Sequence, residues 1–238
     1  QSPANIADNE LKRVMNFIYD PETDQLMTRP GSSCQTASAL SDPILKGYYY
    51  VKDSTTAYHI CASGGKLYYL SGAGLDEWTE IGSLADSSTR PSFLTFNGHL
   101  LIADGGTGIK YWDGSTYGTI ADSPNASALS VIGNRVVANA VDEPDSVYLS
   151  APNDAESADA WDTAKSAVGL KAGYGDLLAV NAFGVFKSDL IISKVGSNSK
   201  RLYRLNVEDA TTTNWFVESL SENNASQTAH TMLSAWNN

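Results

Sequence analysis

The segment FLTFNGHLLIA at residues 93–103 recurs as LSVIGNRVVAN at residues 129–139, an offset of 36 residues. In each copy two apolar runs flank a two-residue turn, Asn97-Gly98 in the first and Gly133-Asn134 in the second. Asparagine and glycine suit the positive φ angles that tight hairpins need, so each copy reads as strand, turn, strand. A looser third copy, VNAFGVFKSDLIISK, covers residues 180–194 with Ser188-Asp189 at the turn. A short aromatic strand follows each hairpin: Tyr111-Trp112-Asp113-Gly114, then Val147-Tyr148-Leu149-Ser150, then Leu202-Tyr203-Arg204-Leu205.

Units of three or four strands that recur every ~35–50 residues are the signature of propeller blades, none of which buries its apolar face without a neighbour. The expected fold is therefore all-β and β-propeller-like, with several three- to four-stranded antiparallel blades. A β-sandwich with chance self-similarity is the competing architecture. Upstream of the repeat, the runs at residues 46–51, 57–62 and 66–70 are rich in tyrosine and β-branched residues and are separated by turn residues, so they read as one antiparallel sheet. Residues 8–17 (DNELKRVMNF) carry an N-cap residue and an apolar stripe and predict the one short helix. The Asp-Pro and Arg-Pro-Gly chemistry of residues 19–31 predicts an opening hairpin or ordered loop. The organisation read from this is residues 1–31 as helix and opening hairpin and residues 32–238 as the propeller domain. The final MLSAWNN resembles half of another hairpin, which implies a propeller truncated at its C-terminus, with the chain a fragment of a longer one.

The net charge of -11 disfavours affinity for DNA phosphates, which depends on lysine and arginine releasing counterions. No window approaches the roughly 18 apolar residues of a membrane span, and residues 1–11 lack the pattern of a signal peptide, so the chain reads as soluble, without a membrane anchor. The two cysteines, Cys34 and Cys61, do not make a disulfide framework and are expected as buried thiols. The loop at residues 142–162 has seven carboxylates and no basic residue and is expected to project into solvent.

The search for chemistry assigns no catalytic, cofactor-binding or metal residue, and the chain is not expected to be an enzyme. His59, His99 and His230 lie in strand-like or terminal segments without a G-x-S-x-G elbow. His59 and Cys61, two apart on one strand face, are too few for zinc. Asp104-Gly105-Gly106, Asp113-Gly114 and the acidic loop offer oxygen ligands for calcium but no Asp-x-Asp-x-Asp-Gly loop. Asp104-Gly105-Gly106-Thr107-Gly108 lacks the Lys-Ser/Thr of a phosphate loop and reads as a turn between blade strands. Tyr48, Tyr49, Tyr50, Tyr68, Tyr69 and Trp112 could stack on sugars, and strand packing explains them equally well.

The order of motifs resembles the propeller proteins of short-tailed bacteriophages that form the tail nozzle or stabilise packaged DNA. The opening resembles that family in Asn16, Tyr19, Glu22, Leu26 and Arg29-Pro30-Gly31. Gly64-Gly65-Lys66-Leu67-Tyr68 is similar to its first-blade motif, followed by Trp78, Phe96-Asn97-Gly98 and Tyr111-Trp112-Asp113-Gly114. Gly133-Asn134-Arg135-Val136, Tyr148, Ser150, Trp161-Asp162 and Phe186-Lys187 resemble its closing succession. The resemblance implies a virion structural protein of the phage tail, assembled in the host cytoplasm. It would form a homo-oligomeric ring that contacts neighbouring tail proteins, with DNA passing through without tight binding and with no cofactor. The competing functions are a carbohydrate-binding propeller that recognises a host surface glycan and a secreted glycosidase or lyase.

Overall fold

The computed structural model describes residues 17–20, 25–28, 39–71, 77–186, 188–196, 200–207 and 212–222. The chain forms two compact units, residues 1–37 and residues 38–238. In the first, β1 (Phe17–Asp20) and β2 (Gln25–Thr28) pair antiparallel, Phe17 opposite Thr28 and Asp20 opposite Gln25. The helix expected over residues 8–17 lies outside the described residues, except that Phe17 opens β1. The half-hairpin expected at residues 232–238 also lies outside them.

Among the described residues the second unit holds four antiparallel four-stranded sheets, each an up-and-down meander in chain order. Blade 1 is β3 (Ile44–Val51), β4 (Ala57–Ser63), β5 (Lys66–Ser71) and β6 (Thr79–Ser83). Blade 2 is β7 (Ser92–Phe96), β8 (His99–Ala103), β9 (Lys110–Trp112) and β10 (Tyr117–Thr119). Blade 3 is β11 (Leu129–Ile132), β12 (Arg135–Asn139), β13 (Ser146–Leu149) and β14 (Val168–Lys171). Blade 4 is β15 (Ala179–Phe186), β16 (Asp189–Val195), β17 (Lys200–Asn206) and β18 (Phe216–Glu222). First strands of successive blades touch, β3 to β7, β7 to β11 and β11 to β15. This is the all-β, propeller-like array of blades that the repeat predicts. No helix among the described residues is long and apolar enough to cross a membrane.

Sheets stacked in this way explain why the second strands read as unbroken apolar runs. Leu100 and Ile102 face blade 1, joining Tyr50, Ile60 and Leu67, while Leu101 and Ala103 face blade 3, joining Val136 and Ala138. Val137 turns the other way, toward Leu190, Ile192 and Leu205 of blade 4. A strand covered on both faces loses the polar alternation of a half-exposed strand, so HLLIA and RVVAN are the expected patterns. The repeat is thus a packing requirement, with positions 100 and 136 facing the preceding blade and positions 101 and 137 the following one.

The turns refine the hairpin reading. Asn97 and Gly98 both have positive φ, 49° and 75°, as a type I′ turn requires. In the second copy Gly133 has φ 57° while Asn134 is absent from the left-handed region, the pattern of a type II′ turn, which needs positive φ only at its first residue. In the third, Phe186 pairs with Asp189, so Asp189 is a strand residue and not part of the turn expected at Ser188-Asp189. Asp189 instead belongs to β16 and lies 3.4 Å from the Arg204 guanidinium.

The acidic stretch 142–162 does not project as expected. Val147 and Leu149 of β13 are buried, and the loop that follows folds back so that Ala155, Ala160 and Trp161 join the blade 2–blade 3 core. Trp161 Nε1 donates to the Ala155 carbonyl at 3.1 Å, which removes the cost of burying the indole N–H. The seven carboxylates were a poor guide because the apolar residues between them outweigh their pull toward water.

Candidate functional site

Buried polar residues recur at one place in the blade, the end of the second strand. Ser63 Oγ donates to the Asp42 carbonyl at 2.8 Å. Asp104 accepts from the Ala85 amide at 2.7 Å, the Gly106 amide at 3.1 Å and Lys110 Nζ at 2.9 Å. Asn139 Oδ1 accepts from the amides of Ser127 and Ala128, both at 2.9 Å, and its Nδ2 donates to Ser127 Oγ and to the Val180 carbonyl of blade 4, both at 3.0 Å. Lys194 Nζ donates to the Ala172 and Gly173 carbonyls at 2.5 and 3.2 Å. In every blade one partner is the backbone that leads into that same blade, so each second strand clamps its own incoming connection. An unpaired backbone group buried there would cost about as much as a lost hydrogen bond, which these side chains prevent.

The blade 4 clamp is the most elaborate. Lys194 is fully buried, and its ammonium also meets Asp145 Oδ1 and Asp176 Oδ1, each at 2.6 Å. The Tyr203 hydroxyl donates to Asp176 Oδ2 at 2.8 Å, and the Gly175 amide to Asp145 Oδ2 at 3.0 Å. Burial alone would raise the Asp145 pKa, but the bonds from Lys194 and Gly175 outweigh it and hold the carboxyl below its ordinary value.

The opposite end of the blades is fastened by turns. The Tyr50 hydroxyl donates to the Gly98 carbonyl, Asn97 Nδ2 to the Asn153 carbonyl at 2.7 Å, and the Asn153 amide to the Asn134 carbonyl at 2.7 Å. The Asn97-Gly98 turn, favoured on backbone grounds, therefore also ties blade 2 to blade 1 through Gly98 and to blade 3 through Asn97. Buried Arg135 donates from Nη1 to the Ser150 and Ser166 carbonyls, each at 2.6 Å, and its guanidinium lies 5.4 Å from the Trp215 ring. Burial lowers the Arg135 pKa. Ser150 Oγ accepts from the Val136 amide at 3.1 Å.

Of the residues singled out by resemblance, Asn16, Arg29, Pro30 and Gly31 lie outside the described residues. Leu67 and Trp112 are buried in the blade 1–blade 2 core, whereas Tyr68 is half-buried on the other face of β5. Gly65 has φ 77° in the β4–β5 turn. Asp113 accepts from the amides of Ser115 and Thr116 at 2.8 and 2.7 Å, and these bonds, Thr116 foremost, lower its pKa to about 2 while Gly114 takes φ 96°. Asn97, Gly98, Asn134, Arg135 and Ser150 are the fasteners described above. Ser63, Asn139 and Lys194 were missed in the sequence, although HICAS, RVVAN and LIISK show the signal, a polar residue closing a run that is otherwise apolar.

Tyr148 and Trp161 lead elsewhere. They line a cleft of about 230 Å³ between blades 2 and 3, together with Asp122, Asn125, Asp142 and Glu143. Glu143 Oε2 accepts from Lys171 Nζ at 2.7 Å, Ser146 Oγ at 2.5 Å and Tyr148 OH at 3.1 Å, and these bonds, Lys171 first, lower its pKa to about 2. It is a fixed anion at neutral pH, unsuited to donating a proton. Asp142 accepts from Asn125 Nδ2 at 3.3 Å, and Asn125 Oδ1 from the Gly108 amide at 2.9 Å. Among the described residues no group of three or more His, Cys, Asp or Glu is arranged to hold a metal ion. Of the six aromatic residues considered for sugar stacking, Tyr48, Tyr68 and Tyr69 are half-buried. Tyr50 and Trp112 are buried, with ring centroids 5.7 Å apart, and exposed Tyr49 rests on His59 at 5.1 Å.

No family model matches the chain. No curated protein matches it either. Among solved structures, the N-terminal domain of Nup159 aligns with a TM-score of 0.48 and 11% identity, covering 74% of this chain and 47% of that one. The chain thus spans about half the length of that domain. Hsv2 of Kluyvelomyces marxianus aligns with a TM-score of 0.39 and 8% identity, covering 88% of this chain and 79% of that one. Likeness at this level carries no statement about function.

Proposed function

We propose that the chain is a structural subunit of a phage tail, of the nozzle or DNA-stabilising kind, which self-associates into a ring beside neighbouring tail proteins and lets DNA pass without tight binding. The observation that carries this reading is the use made of the family-like residues. Gly98, Asn97, Arg135 and Trp112 link neighbouring blades, and Asn134 and Ser150 brace blade 3 from within, instead of converging on a solvent-open centre. Motif residues spent on rigidity suit a part that bears load. The charge of -11 adds support, since a conduit that grips phosphates would stall the strand it conducts. No residue is assigned a catalytic role in this reading.

A glycan-binding role has less to build on, because Tyr50 and Trp112 are committed to the core between blades 1 and 2. The test combines light scattering after size exclusion, negative-stain electron microscopy and DNA-binding titrations at two salt concentrations. Closed rings with weak DNA affinity are the expected result. A monomer at every concentration, or tight binding that collapses with added salt, would overturn the proposal.

A further inference from the structure

The cleft between blades 2 and 3 shares its end of the propeller with an apolar projection. The β12–β13 loop carries Asp142, Glu143 and Asp145, and it is joined to the β14–β15 connection through the Gly175 amide on Asp145 and to β15 through the Val180 amide on the Pro144 carbonyl. That connection presents Tyr174 and Leu177 to solvent, 85% and 95% exposed, with Val141 also exposed on the neighbouring loop. Leu177 sits at φ 59°, where glycine or asparagine would be favoured on backbone grounds.

This loop is not loosely held. Lys194 binds Ala172, Gly173 and Asp176, Tyr203 binds Asp176, and the Leu178 amide donates to Asp176 Oδ1 at 3.0 Å. The backbone that carries these two large apolar side chains into water is thus braced, which lowers the loop-ordering entropy lost when a partner covers them.

The charges beside it are only partly balanced. Lys194 answers Asp145 and Asp176, and Lys171 answers Glu143. Asp142 has only the Asn125 amide, and Asp122, exposed at φ 55°, makes no hydrogen bond or ion pair among the described residues. Both carboxylates border a cleft with Tyr148 and Trp161 in its wall, the combination of anion and ring that holds a guanidinium or ammonium group. At about 230 Å³ the cleft is smaller than the ~300–1,000 Å³ of small-molecule sites and suits a single side chain.

We propose that this end of the propeller docks a protein partner through a basic side chain, arginine foremost, seated in the Asp122–Asp142 cleft, with apolar neighbours covering Tyr174 and Leu177. Charge complementarity selects the partner. A second copy of this chain, with its net charge of -11, is a poor match, so the partner is a different protein with a basic, apolar segment. The proposal stands apart from the tail-subunit reading, because it concerns one face of the unit whether or not rings form.

The test uses a fluorescein-labelled hexapeptide of alternating arginine and leucine, with glutamate–leucine and arginine–glycine peptides as controls, in anisotropy titrations against the full chain. Only the arginine–leucine peptide is expected to bind well. Asp122→Asn with Asp142→Asn should weaken it about fivefold, and Tyr174→Ser with Leu177→Asn at least about tenfold. In the unsubstituted protein the same peptide should shift the Trp161 indole resonance, a reading that needs no variant. Equal binding of the arginine–leucine and glutamate–leucine peptides, unchanged affinity in both double variants, or an unmoved Trp161 signal would each overturn the proposal.

Discussion

Replacing Lys194 with methionine removes the cation of the blade 4 clamp while keeping most of the side-chain volume. The ammonium is fully buried, and the two carboxylates it meets at 2.6 Å have side-chain exposures of 17% (Asp145) and 6% (Asp176). Removing one partner of a buried ion pair leaves uncompensated charge in a poorly solvating interior and costs about 3–5 kcal/mol. For a chain of this size that corresponds to a fall in Tm of roughly 6–20 °C. The pH dependence gives a sharper signature. In the native protein the Asp145 pKa is held below its ordinary value, so its contribution is present at neutral pH and lost as pH falls through the folded-state pKa. Without Lys194, desolvation, the Gly175 amide and the Lys171 charge act on Asp145, and burial, the largest influence on it, raises the pKa. Lys194→Met should therefore gain less stability than the native protein as pH rises through the carboxylate range, a shallower slope, since Asp113 and Glu143 keep their lowered pKa. Urea unfolding monitored by tryptophan fluorescence across that range measures both slopes. Adding Asp145→Asn and Asp176→Asn to Lys194→Met should recover much of the loss. Parallel pH profiles, or a loss below about 1 kcal/mol, would refute the argument that this cation balances the two carboxylates.

Asn139→Ala removes the acceptor for the Ser127 and Ala128 amides and the donor to Val180, and should cost about 2–4 kcal/mol in urea unfolding, with faster exchange of those two amides. Gly173→Ala and Gly133→Ala both place alanine at positive φ, but a Cβ at residue 173 would meet the Tyr203 hydroxyl at 2.1 Å whereas at residue 133 nothing lies within 4 Å. The former should be clearly the more destabilising, the latter costing only the ~1–2 kcal/mol backbone term. Burial raises the Cys61 pKa to about 12, so in a Cys34→Ser variant the remaining thiol should resist alkylation while folded and react readily in denaturant, as mass spectrometry would record.

The blade was legible in the sequence because its causes are local. Two-residue turns need particular residues, as at Asn97-Gly98, and strands covered on both faces need continuous apolar runs, as at HLLIA and RVVAN. In the third hairpin Asp189 left the expected turn for the strand, because its pairing with Phe186 set the register. Other features were invisible locally. The stretch 142–162 reads as solvated until blade 2 is placed against it and covers Ala155, Ala160 and Trp161.

The sequence by itself determined the repeat unit and its two Asn/Gly turns, because hydrophobic period and backbone sterics act within a dozen residues. Only the tertiary structure decided what the polar residues are for. Ser63, Asp104, Asn139 and Lys194 close four unrelated-looking strands, and their common role appears once each incoming backbone is in place to be bound. The cleft at Asp122, Asp142 and Trp161 is likewise assembled from segments up to 39 residues apart, so no spacing within one segment announces it. Hydrogen bonds and charge balance depend on distances between such segments, and folding supplies those distances.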